Sequence, residues 1–101
     1  MKTVEISLPV GVDCGAVECA IDESIIGAGL TVTLRAALKK FPGCVHWHTK
    51  NGREPGTLEI TLWPKERRAW FTIQSGRTAV WIEEKMETLS VAILERLNDC
   101  V

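Results

Sequence analysis

The chain has 101 residues, 46% of them hydrophobic and 25% charged, and its 12 basic and 13 acidic side chains leave a formal net charge of −1. Such a length and apolar content suit one domain, expected to span residues 1–101, and exclude intrinsic disorder or two separate cores. Near-neutral charge argues against a generic polyanion binder. The average hides a polarity, because residues 1–34 carry −4, residues 35–77 carry +6 and residues 78–101 carry −3.

After Met1 and Lys2 the chain reads TVEISLPV, which alternates and lacks the continuous apolar stretch of a signal peptide. The longest run without a polar side chain, IIGAGL at 25–30, is far shorter than a membrane span. A cytoplasmic location without membrane contact is therefore expected, with Cys14, Cys19, Cys44 and Cys100 as reduced thiols.

In chain order, Val4, Ile6 and Leu8 alternate with Thr3, Glu5 and Ser7, the pattern of a half-buried strand ended by Pro9 and Gly11. Residues 13–27 combine strand-like spacing (Val17, Cys19, Ile21) with helical spacing (Ala16, Ala20, Glu23), and a helix is the preferred reading. Leu30, Leu34, Ala37, Leu38 and Phe41 predict a second helix over 30–41, stopped by Pro42-Gly43. Residues 44–50, 57–63 and 68–74 then read as a three-stranded meander, with turns at 51–56 and 64–67 and a break at Ser75-Gly76. Thr78 can cap a last helix running to about Asn98, whose buried stripe is Ile82, Met86, Leu89, Ile93 and Leu97. The expected fold is α+β: a small antiparallel sheet, made of the meander plus the N-terminal strand, with helices on one face in the order β-(α)-α-β-β-β-α.

Alternation assigns the two faces of the meander. Leu58, Ile60 and Leu62 must face the helices, as must Val45, Trp47, Phe71 and Ile73. The outer face is then expected to carry three rows: His48, Glu59, Gln74; His46, Thr61, Thr72; and Cys44, Trp63, Trp70. A two-residue slip in either hairpin would preserve the faces while changing the rows.

Four chemistries fit that face. His46 and His48, two apart on a strand, project together, and Glu59 on the neighbouring strand completes a two-histidine, one-carboxylate set for a divalent metal such as zinc, with Cys44 as a softer alternative ligand. Exposed Trp63 and Trp70 beside Lys65, Arg67 and Arg68 are what a single-stranded nucleic acid needs for base stacking and phosphate contact. The helix, three-strand, helix order over residues 30–98 is similar in element order to the double-stranded-RNA-binding domain, though TAVWIEEK at 78–85 lacks the positive start of that family's last helix. Cys44 beside His46 could pair a nucleophile with a base, yet no GxSxG, Walker loop, dinucleotide fingerprint or HExxH is present, which favours binding over catalysis. The leading expectation is an interaction module. An uncovered aromatic face would seek a protein partner or a second copy, and Trp81, Glu83 and Glu84 could meet the basic hairpin of that copy.

Overall fold

A computed structural model describes residues 1–74, 76 and 79–99. The elements are β1 (Lys2–Ile6), α1 (Cys14–Gly27), β2 (Thr31–Ala36), β3 (Val45–Lys50), β4 (Leu58–Trp63), a 3-10 turn (Pro64–Glu66), β5 (Arg68–Ile73) and α2 (Val80–Asp99). All five strands pair antiparallel in the order β1-β5-β4-β3-β2. The expected α+β fold with an antiparallel sheet is thus present, in the order β-α-β-β-β-β-α. Among the described residues, no helix is long and apolar enough to cross a membrane.

The segment 13–27 is helical for a local reason and a packing reason. Asp13 has extended backbone and its side chain accepts from the Ala16 N–H at 3.0 Å, a helix N-cap. Val17, Ala20, Ile21, Ser24 and Ile25 are then buried, a stripe at helical spacing turned to the sheet and α2.

Residues 30–41 correct the expectation of a second helix. Leu30 belongs to the end of α1: its N–H donates to Ile25 O, the Gly29 N–H donates to Ile26 O, and Gly29 holds φ +75°, which together form a Schellman cap. The chain leaves this cap into Thr31, Val32 and Thr33, consecutive β-branched residues that favour extended backbone. They form edge strand β2, with a register shift between Val32 and Leu34. Arg35 fastens this edge to α1 through ion pairs with Glu18 and Asp22 and lies over the Trp47 ring. Without a helix at 30–41, the element order shared with the double-stranded-RNA-binding domain is lost.

One core unites the sheet and both helices. Trp47, Leu58, Ile60, Leu62 and Phe71 from the sheet meet Val17, Ile21 and Ile25 of α1 and Ile82, Leu89, Ile93 and Leu97 of α2. Val45 is partly buried against the same cluster. The Trp47 indole N–H donates to Asp22 at 2.8 Å, so this ring is buried with its polar edge satisfied. Trp81, expected to be free for a second copy, is instead buried, and its indole N–H donates to Pro55 O at 2.7 Å. Glu83 faces Lys2 at 3.3 Å. The Thr78 cap, the Ser75 part of the break after β5, and Cys100 lie outside the described residues.

Candidate metal centre

Period-two alternation in β3 sends Trp47 and Thr49 into the core and His46 and His48 to the opposite face. The β3–β4 register pairs His46 with Thr61 and His48 with Glu59, as expected. The β4–β5 register is displaced by two residues from the expected one: Glu59 faces Thr72, Thr61 faces Trp70, and Trp63 faces Arg68. The turn explains the difference. Pro64–Glu66 closes as one 3-10 turn, with the Arg67 N–H donating to Pro64 O and Arg67 itself left-handed at φ 52°, so pairing resumes at once with Arg68. The rows across the outer face are therefore Leu34, His48, Glu59, Thr72, Thr3 and Ala36, His46, Thr61, Trp70, Glu5.

Three atoms converge in the middle of this face. His46 Nε2 lies 3.1 Å from Glu59 Oε1, His48 Nε2 lies 3.5 Å from the same oxygen, and the two Nε2 atoms are 3.0 Å apart. Zinc bound about 2.05 Å from each of two imidazoles and a carboxylate holds its donors about 3.3 Å apart when tetrahedral. The observed donor separations of 3.0, 3.1 and 3.5 Å bracket that spacing. His46, His48 and Glu59 thus form a group that could hold a metal ion. On its far side, His46 Nδ1 is hydrogen-bonded with Thr61 Oγ1 at 2.8 Å, the kind of outer contact that fixes the orientation of a ligating imidazole.

Burial sets the electrostatics. His46 and Glu59 are each only 5% exposed, while His48 is partly exposed. Burial lowers the pKa of His46 below its ordinary 6.5, and the charge of Glu59 offsets this only in part while His48 adds to it. His46 is accordingly a neutral imidazole near pH 7, the form a metal requires. Among the described residues, no Lys or Arg side chain pairs with Glu59. Its Oε1 is instead contacted by both imidazoles.

The middle of the outer face is covered around Trp63 and Trp70, contrary to the expectation of an open face, while Leu34, Thr3 and Glu5 at its margins stay exposed. The connection between β2 and β3 folds back over it, and Phe41 packs its ring 5.0 Å from Trp63 and 5.1 Å from Trp70. Trp70 is 6% exposed as a result, and partly buried Trp63 donates its indole N–H to Pro42 O at 3.1 Å. Cys44 is buried and stands apart from the three converging donors. Its sulfur accepts the Leu38 N–H at 3.2 Å and closes this covering segment. Of the basic residues expected to contact phosphates, Arg68 pairs with Glu5 and lies 4.9 Å from the Trp70 ring centre, and the Arg67 guanidinium donates to Val12 O. Lys65 is exposed in the turn.

Beside the donors, the sheet and its covering segment line a half-open cavity of about 320 Å³ reached by His46 and Glu59. Thr3, Thr61, Thr72 and Gln74 give it polar walls, and Leu38, Phe41 and Trp70 apolar ones. Leu38 and Phe41 as a lid were missed in the sequence because their spacing matched a helix. Pro42-Gly43 was the available signal, since a turn can return the chain across the sheet as readily as it can end a helix.

No protein-family model, curated protein or solved structure matches this chain.

Proposed function

We propose that the protein binds a divalent metal ion, with zinc the best-suited occupant, through His46 Nε2, His48 Nε2 and Glu59 Oε1. The observation that carries this reading is the triangle of donors with edges of 3.0, 3.1 and 3.5 Å. Neutral imidazole at His46 and its Thr61 contact support the same reading. Such a metal would serve function rather than folding, because the core on the other side of the sheet is continuous without it. With three protein ligands, the metal would keep a coordination position for an exchangeable group.

Untagged protein incubated with equimolar zinc, desalted and analysed by plasma mass spectrometry is expected to retain one ion per chain. His46→Ala and Glu59→Gln, checked by circular dichroism for an intact fold, are expected to retain almost none. Wild-type protein that emerges without stoichiometric metal would overturn the proposal.

The expectation of self-association rested on tryptophans left uncovered. With Trp63 and Trp70 beneath Phe41, neither a partner surface nor a base-stacking platform draws support from those rings.

A further inference from the structure

The cavity beside the donors has a chemistry of its own, and it continues from the metal reading. Two of the three donor residues, His46 and Glu59, contribute to its wall, so the coordination position left by a three-ligand site can open into it. Glu59 is the one carboxylate among its lining residues, whereas Lys40 and Arg68 both contribute, and the Arg68 charge is shared with Glu5 outside the lining. A divalent ion at the donors would add two further positive charges. The electrostatic surplus in this space is therefore positive, and an anionic oxygen donor is the favoured fourth ligand.

The walls restrict what that anion can carry. Leu38, Phe41 and the Trp70 ring form one apolar side, while Thr3 and Thr72, directly paired across β1 and β5, form a hydroxyl-bearing side with Gln74. At about 320 Å³ the space is at the lower end of small-molecule sites. We infer that the metal-bound protein takes a small carboxylate with a short apolar or aromatic tail, its carboxylate on the metal and its tail between Leu38, Phe41 and Trp70. This rests on the metal reading, and the experiment separates the two.

Cobalt(II) serves as a spectroscopic stand-in for zinc. The untagged protein is titrated with cobalt, followed by its visible absorption, and the loaded protein is then titrated with acetate and, separately, with benzoate. Saturable cobalt uptake at one ion per chain, a spectral change with each acid, and benzoate at least tenfold tighter than acetate are the expected results. Lys40→Gln, an exposed position, should leave cobalt uptake intact and weaken benzoate roughly threefold or more. Failure to take up cobalt would overturn the metal reading. Normal uptake with a spectrum insensitive to both acids would overturn the present inference alone. Equal affinity for acetate and benzoate would overturn the assignment of the tail to the apolar wall.

Discussion

On the helix side of the sheet, Trp47, Leu58, Ile60, Leu62 and Phe71 are sealed from solvent by two long helices, whereas on the opposite side His46, Glu59 and Trp70 are sealed by the short connection through 37–44. The first layer is held by contiguous apolar contact, and its polar edges, such as the Trp47 N–H on Asp22, are satisfied one by one. The second is a thin lid anchored by Phe41 on two indoles, by the Trp63 N–H on Pro42 O and by the Cys44 sulfur on the Leu38 N–H. Burial on the helix side provides stability. On the lid side it sets the properties of three polar groups, because excluding water makes a carboxylate and two imidazoles more sensitive to an ion placed among them.

That contrast can be broken most severely from the helix side. Trp47→Ala removes a fully buried ring and its hydrogen bond and is expected to cost about 4 kcal/mol. Thermal denaturation of a domain this size should register it as a fall of roughly 15–30 °C. A loss below about 1 kcal/mol would mean that the helix layer is not the main source of stability.

Metal should act from the other side. Zinc at a hundredfold excess over its dissociation constant would stabilise wild type by about 2.7 kcal/mol, a rise in melting temperature of some 10–20 °C. Glu59→Gln should show little of that rise, and a full zinc response in this variant would place the binding elsewhere. Phe41→Ala tests the lid itself. It should cost about 1–3 kcal/mol, because its ring is only partly buried, and should raise acrylamide quenching of tryptophan fluorescence as Trp63 and Trp70 open to solvent.

A smaller effect follows from His46. Burial holds its folded pKa below the 6.5 of the unfolded chain, so between these values the unfolded state binds more protons. Its contribution to the stability of metal-free protein is therefore complete above pH 6.5 and is lost as pH falls toward the folded value. Urea titrations from pH 7.5 downward should show this decline, and His46→Gln should flatten it. The smallest change expected is at Ser24 of α1, whose buried hydroxyl has no hydrogen-bond partner among the described residues. Ser24→Ala should be neutral or stabilising by up to about 1 kcal/mol, and a clear loss would show that the hydroxyl is satisfied in solution.

Much of both layers was legible in the residues. Leu58, Ile60 and Leu62 fixed one face of β4, and the same alternation then required Glu59 and Thr61 on the other, because successive side chains in a strand point to opposite sides. Likewise His46 and His48 had to share a face, and the hairpin that sets His48 opposite Glu59 followed from matching core positions across the turn. Two features resisted. Leu30, Leu34, Leu38 and Phe41 satisfy a helical period, and only the Schellman cap at Gly29 shows that Leu30 closes α1 while the following β-branched residues extend along β3. The β4–β5 slip was equally hidden, since alternation is blind to a displacement of two and the tight Pro64–Glu66 turn decided it.

By itself the sequence determined which side chains share a face, through the two-residue period of a strand, and so assembled His46, His48 and Glu59 in principle. Only the tertiary structure decided that His46 and Glu59 are buried and which side-chain orientations draw the three donor atoms within 3.5 Å of one another, since covering depends on the segment before β3 returning across the sheet. Local periodicity carries no information about such a return. The packing of Phe41 on Trp63 and Trp70 covers those rings, and an expected open aromatic surface becomes a half-open polar cleft beside them.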